Sequence, residues 1–313
     1  MEKQYNLQQI KKEASGFLER KKQINETTFI NYKNSFKYFL FYLENQQIKT
    51  INSNNASNIV EGFQGILLNG FNYKDKQVKL TATTVNTHIR RIKTFFNKCL
   101  GLIVEIKKLA VAKPKYKSLK VDEIKLLIDE AENHFKNNEV AERNKTLINF
   151  LFNTAFRIEE ALNIKTTDLY SEDGSYYVDI HEKGKAKGEY TTIAISEKTF
   201  QLIQNYLELK KVPSEFVFST GSGKKLARAN FNKAIRELAT YVDLKHGTNI
   251  SKTVENNSSH VFRHSKATYL LNVKKEDVVT VKEILRHKSI DSTLIYLNPQ
   301  EEAINKVRIN NDL

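Results

Sequence analysis

One cysteine, Cys99, stands in 313 residues, so no internal disulfide can form and no cysteine-based metal site can be built. A reducing compartment suits such a chain, and Cys99 is expected to serve helix packing. Long apolar runs are missing as well. No stretch approaches the roughly 18 apolar residues that a membrane span needs, and the N-terminus, MEKQYNLQQIKKEAS, lacks the apolar centre of a secretory signal. The expectation is a cytoplasmic protein with no membrane partner. No internal repeat is visible, no histidine pair has zinc spacing beside a carboxylate base, and no acidic set marks a two-metal nuclease. Gly221-Ser-Gly-Lys-Lys lacks the spacing before it and the Ser or Thr after it that a phosphate loop requires, and reads as a turn. Neither a metal nor any other cofactor is expected.

What is abundant is positive charge. Lys and Arg number 50 against 36 Asp and Glu, a net +14, which suits a polyanion such as nucleic acid and equally a lysine-rich soluble surface. The distribution helps to decide. Residues 1–112 hold 18 basic and 8 acidic side chains, whereas residues 113–313 hold 32 and 28. A strongly basic first third joined to a balanced remainder suggests an electropositive module attached to a second domain.

The pattern along the chain is mainly helical. Residues 5–20 and 27–44 have helical periodicity. In the second of these, Phe29, Tyr32, Phe36, Phe39, Leu40 and Leu43 share one face, and Asn25 or Thr27 can cap the start. An Asn/Ser loop precedes a shorter helix over about 56–68. From Thr83 to Leu100, Val85, Ile89, Ile92 and Phe96 point inward, while His88, Arg90, Arg91, Lys93 and Lys98 point outward, as a solvated face or as a helix laid against DNA. Pro114 among Lys113, Lys115 and Lys117 marks an exposed connector, giving domains 1–112 and 113–313. Helical patterns return at 121–135, 142–155 and 157–164. Alternation over Tyr176–Ile180 and Tyr190–Ile195 predicts a hairpin closed by a lysine-rich bend, and helices follow near 197–210, 227–242, 262–271, 279–286 and 300–309.

Residues 260 to 296 concentrate the chemistry. His260, Arg263, His264, Arg286, His287 and Tyr296 combine guanidinium forks that fit phosphate oxygens, imidazoles that move protons near neutral pH, and a phenol that can act as a nucleophile. Asn-Thr-Ala-Phe-Arg157-Ile-Glu-Glu160 resembles the first arginine box of the tyrosine recombinases, the phage integrase or Xer-type family. His260-Val-Phe-Arg263-His264 resembles the His-x-x-Arg box, and Leu285-Arg286-His287, followed nine residues later by Tyr296, resembles the final box and its nucleophile. Lys183 is similar in position to the family's hairpin lysine. Five elements in order across about 140 residues are far more specific than any one of them.

The resemblance implies a fold of two parts: an N-terminal helical bundle of the SAM-like core-binding kind, and a mostly helical, mixed α/β catalytic domain with a small antiparallel sheet. The pair would close around duplex DNA. It further implies a site-specific recombinase that cleaves through a covalent 3′-phosphotyrosine without metal or ATP, in tetramers on two DNA sites that exchange C-terminal tails. Arg157 and Arg263 would clamp the phosphate, His260 and His287 would add donors or manage protons, and Lys183 would protonate the leaving oxygen, with Glu160 and His264 in support. Lys185 and Lys187 join the basic residues expected on DNA. A type IB topoisomerase would share the chemistry, and a non-catalytic DNA-binding protein would explain the charge but not Tyr296. Three departures from the family stand out: Ala155 and Arg286 occupy positions where glycine is usual, and the hairpin bend runs longer and holds Lys183, Lys185 and Lys187, which leaves open which of the three is the acid. Arg286 is expected to reach a phosphate or, more readily, to point into solvent.

Overall fold

The computed structural model describes residues 3–111, 117–180 and 189–297. The chain divides into two compact units, Met1–Pro114 and Lys115–Leu313.

The first unit strings together β1 (Gln4–Asn6), α1 (Leu7–Ile24), α2 (Glu26–Asn45), β2 (Thr50–Asn52), α3 (Ala56–Asn69), β3 (Phe71–Tyr73), β4 (Lys76–Val78) and α4 (Ala82–Phe95), which runs on into a π turn at Phe96–Leu100. Helix starts follow the capping chemistry of the sequence: Asn6, Asn25 and Thr81 each accept a hydrogen bond from the backbone three residues on. The core is aromatic. Phe17, Phe36, Phe39, Phe63, Phe95 and Phe96 are buried, and Phe36 meets Phe95 edge to face at 4.8 Å. Each such ring contributes about 1.5–3 kcal/mol through burial; of the expected stripe on α2, Phe36, Phe39 and Leu43 are core, Tyr32 and Leu40 pack against it half-buried, and Phe29 lies outside it.

Two features differ from expectation. β1 pairs antiparallel with β2, and β3 with β4. Strands of three residues are too short to show alternation in sequence, and the second turn uses left-handed Lys74 and Asp75 (φ 48° and 61°), the mirror-image geometry of tight hairpins. The other difference is His88. It does not point outward on α4 but is buried at 6% exposure, because Ser35 on α2 meets its Nδ1 at 2.9 Å. Arg91 donates to the same hydroxyl at 3.3 Å, so it too turns partly inward. Burial first, then the charge of Arg91, pushes the His88 pKa down to about 4, leaving an uncharged ring at neutral pH.

The second unit comprises α5 (Val121–Asp129), α6 (Ala131–His134), α7 (Asn138–Thr154), α8 (Ile158–Asn163), β5 (Leu169–Glu172), β6 (Ser175–Ile180), β7 (Thr191–Ile195), α9 (Glu197–Leu209), α10 (Arg228–His246), α11 (Ile250–Asn257), α12 (His260–Thr268) with a π turn at Tyr269–Val273, α13 (Val278–Leu285) and α14 (Asp291–Leu294). The three strands form one antiparallel sheet in the order β5-β6-β7, with Val178 opposite both Leu169 and Ile193. The predicted pair β6 and β7 is present, joined by the additional strand β5. The chain is therefore mainly α with small antiparallel sheets. The Gly221 segment is a turn: Thr220 N–H donates to the Lys224 carbonyl at 2.7 Å. Gly223 has φ 76°, and a Cβ there would meet the Pro213 carbonyl oxygen at 2.8 Å, so the glycine is sterically required.

α7 is the spine of this unit. Leu147, Ile148, Phe150 and Leu151 pack into a core with Phe231, Ile235 and Leu238 of α10 and Phe262 of α12. A smaller cluster beside it joins Ala155 at the end of α7 with Leu271, Val281, Leu285 and Tyr296. That cluster brings the two distant sequence boxes together. Among the described residues, no helix is long and apolar enough to cross a membrane.

Candidate active site

Two left-handed residues frame the site. α7 ends at Ala155 (φ 55°, ψ 24°) and α13 ends at Arg286 (φ 51°, ψ 49°). The backbone oxygens at these two ends are the ones the arginines use. Arg263, on α12 and only 4% exposed, donates from Nη1 to the Ala155 carbonyl at 2.6 Å and from Nη2 to the Leu285 carbonyl. Its guanidinium thus ties the first box to the last. Burial, then the neighbouring Arg157 and Arg286, lowers its pKa to about 10, so it stays charged at neutral pH.

Arg157 sits at the start of α8, where Glu160 closes a capping box: the Arg157 backbone N–H donates to Glu160 Oε2 at 2.9 Å. The side chain folds over the same carboxylate, with Nη1 donating to Oε1 at 2.7 Å and Nη2 donating to the Arg286 carbonyl at 3.4 Å. The Arg157 side chain remains 39% exposed, which leaves its outer donors open to a ligand.

Arg286 does not point to solvent. Its Nη2 donates to Glu160 Oε2 at 2.5 Å, and its guanidinium lies 4.6 Å from the centre of the Phe156 ring, so this side chain is drawn inward by an ion pair and an aromatic face. Glu160 is buried at 6% exposure. Burial raises its pKa, and Arg286 followed by Arg157 more than offsets this, so the net direction is down and the carboxylate is ionised.

The aromatic half of the site gathers three imidazoles around Tyr296. The phenol oxygen lies 2.6 Å from His264 Nδ1, and the two rings are 5.3 Å apart. His287 stacks near-parallel on Tyr296 at 6.4 Å and bonds Thr293 Oγ1 through Nδ1 at 2.9 Å. Asn272 Nδ2 donates to the Tyr296 carbonyl at 2.8 Å. His260 lies one turn before His264, ring to ring at 6.1 Å, and keeps solvent contact. Its pKa is lowered by desolvation and then by Arg263, Arg228 and Arg157. His264 and His287 are both held at about 4, by burial first; His260 and then Arg263 follow for His264, Arg263 and then Arg157 for His287. Neutral imidazoles among fixed guanidiniums suit proton transfer beside an anion.

The structure therefore brings Arg157, Glu160, His260, Arg263, His264, His287 and Tyr296 into one place. Lys183, Lys185 and Lys187 of the hairpin bend, and Lys113 and Lys115 of the connector, fall outside the described residues, while Lys117 is exposed. In the first unit, Arg90, Lys93 and Lys98 line a groove of about 840 Å³ on α4, and His88 and Arg91 lie on a different concavity with Asn31 and Asn34. Sequence reasoning missed the inward turn of Arg286, the His264–Tyr296 bond and the Thr293 partner of His287. The i,i+3 spacing of Arg157 and Glu160 was the one available signal for the ion-pair cluster. Among the described residues no group of His, Cys, Asp and Glu could hold a metal ion.

Comparison with known proteins adds independent evidence. The model of the phage integrase family matches residues 117–303. The tyrosine recombinase XerC of Rickettsia prowazekii is 28% identical over 303 residues, 93% of this chain and 92% of that one. XerH of Campylobacter jejuni is 30% identical over 177 residues, 56% of this chain and 46% of that one. Among solved structures, the Tn1549 transposon integrase in complex with transposon right end DNA aligns with a TM-score of 0.69 at 16% identity, covering 99% of this chain and 100% of that chain. XerH bound to difH substrate in a pre-cleavage complex aligns at 0.64 and 20% identity, covering 97% and 84%. Identities this low speak for the fold alone.

Proposed function

We propose that Tyr296 breaks and rejoins DNA in this site, because the chain belongs to the phage integrase family and is a site-specific tyrosine recombinase, as its XerC relatives are. The observation that carries the assignment of Tyr296 is its hydroxyl, held 2.6 Å from His264 on the helix that also carries Arg263. The phenol oxygen attacks the scissile phosphorus, a Tyr296–phosphate bond forms at the 3′ side, and the bond to the 5′ oxygen breaks. His264, neutral at pH 7, takes the phenol proton. Arg157 and Arg263 face the negative charge that builds on the non-bridging oxygens, and fixed donors of this kind stabilise it without reorganising. His260 and His287 flank the same oxygens. The departing 5′ oxygen needs a proton, and Lys183 is our candidate donor, since an ammonium on a long stem acts as a mobile point charge. Because the phosphotyrosine conserves the bond energy, a second 5′ hydroxyl reverses the step with no nucleotide and no metal.

The partner is double-stranded DNA carrying a recombination site, with tetramers bringing two sites together. We place the C-terminal tail, Glu301–Ile309, on a neighbouring protomer. The tail itself is outside the described residues; its support is the helical spacing of Ala303, Ile304, Val307 and Ile309 and the exposure of Val273, Val279, Ile290 and Leu294. A nicked suicide substrate on a denaturing gel tests the chemistry: wild-type protein is expected to form a covalent adduct, and Tyr296→Phe to bind DNA and form none. An adduct that persists in Tyr296→Phe removes the nucleophile. Deleting residues 300–313 is expected to abolish tetramers on DNA in sedimentation while monomer binding survives; intact tetramers would count against tail docking.

A further inference from the structure

We propose that Arg286 is a positioning residue for this reaction: it neutralises Glu160 from behind, so that the charge of Arg157 is left for the phosphate. The proposal rests on the reading of Tyr296 as nucleophile and deepens it.

The argument begins with Glu160. A buried carboxylate bonded to Arg157 through both backbone and side chain fixes the arginine's orientation, but it also cancels the arginine's charge. A neutral Arg–Glu pair offers an attacked phosphate little more than a dipole, because the carboxylate lies only a few ångströms behind the guanidinium. The transition state carries more negative charge than the ground state, so this cancellation falls on the step that most needs the cation. A second guanidinium on the same carboxylate returns the cluster to one net positive charge. Arg286 supplies it, 2.5 Å from Glu160 Oε2.

The geometry assigns Arg286 to that carboxylate and not to DNA. Its side chain is 11% exposed, and the Phe156 face beneath it holds the guanidinium on the Glu160 side. The backbone of the same residue has a separate task, since its carbonyl accepts Arg157 Nη2. That oxygen is delivered by the left-handed turn and would be delivered as well by glycine, which prefers the conformation. What the side chain adds is therefore charge. The arrangement also accounts for the departure from glycine at this position: an arginine here tolerates positive φ because the ion pair and the aromatic face hold it there.

The test uses the full chain on the nicked suicide substrate, comparing wild type with R286G, R286K, E160Q and the R286G/E160Q pair. R286G keeps the turn and removes the charge. Its adduct formation is expected to slow about 10- to 100-fold, a loss smaller than that of a direct oxyanion donor, with DNA affinity within about twofold. R286K is expected to recover part of the rate. Adding E160Q to R286G should restore most of what R286G lost, because a neutral amide no longer cancels Arg157, and a methylphosphonate at the scissile position should shrink the R286G defect, because that linkage carries no charge to compensate. A purely structural role would move neither readout. An adduct that is lost in Tyr296→Phe but forms at equal rates in wild type and R286G overturns the role of Arg286 while leaving the nucleophile in place; a pair of substitutions whose rate losses simply multiply overturns it as well.

Discussion

At the scale of single residues, the contact that decides most is His264 Nδ1 on the Tyr296 hydroxyl. The imidazole pKa is held at about 4 by burial, then by His260, Arg263 and His287, below the ordinary value near 6.5. The folded protein thus favours the neutral ring, which accepts the phenol hydrogen. The stability this contributes is complete above about pH 6.5 and is lost as pH falls through about 4, and His287 follows the same window. The same sign applies to the chemistry, because a protonated ring cannot take the proton. His264→Ala is expected to slow adduct formation about 100-fold while DNA binding stays unchanged in gel shifts, and wild-type rates are expected to hold through about pH 6 and to fall as pH drops through about 4. A His264→Ala protein that cleaves at the wild-type rate would return the proton to another acceptor. Sequence spacing was enough to nominate Arg157, His260, Arg263, His287 and Tyr296. It could not say which imidazole meets the phenol, because His260 and His264 lie one turn apart on α12 and the approach of Tyr296 from 32 residues away is a matter of packing. Nor could it turn Arg286 inward, since that depends on a left-handed backbone and on a carboxylate from a distant box.

At the scale of elements, legibility follows length. α2, α7, α9 and α10 are long enough for their apolar periodicity to predict them, and the first three start at a side-chain cap, Asn25, Asn137 and Ser196. Strands of three or four residues carry almost no period, so both small pairings of the first unit were invisible, and so was β5. α4 shows a subtler limit. Its pattern of apolar positions is correct, yet His88 belongs to the buried face because α2 presents Ser35 opposite it; a polar residue can be core when its partner is, and a single helix does not reveal the partner. The ends of α7 and α13 show the reverse case. A left-handed residue other than glycine costs about 1–2 kcal/mol, and sequence rules alone would not place Ala155 or Arg286 there. Both conformations persist because the carbonyls they position accept arginine side chains, each charged hydrogen bond contributing about as much as the strain removes.

At the scale of the whole molecule, the uneven charge makes a distinction that net charge does not. The first unit carries the excess, and Arg90 and Lys93 of α4 and Lys98 of the π turn that follows it share a groove with Asn86, Thr87 and Lys108, a mixture suited to phosphates along its rim and base edges at its floor. If this groove meets DNA, each cation on a phosphate releases close to one condensed counterion, so binding must weaken with salt in proportion to the contacts made. Arg90→Ala and Lys93→Ala are each expected to reduce the slope of log affinity against log salt by about 0.9, and to weaken cognate and random DNA alike. Lys11→Ala removes the same single charge from the same unit, but Lys11 is already paired with Glu44 at 2.6 Å, and its slope should equal that of the wild type. Titrations of all three proteins by fluorescence anisotropy between about 50 and 200 mM salt separate the two sources of attraction. Equal losses of slope in Lys11→Ala and Arg90→Ala would mean that DNA responds to the total charge of the unit, and would remove the groove on α4 from the interface.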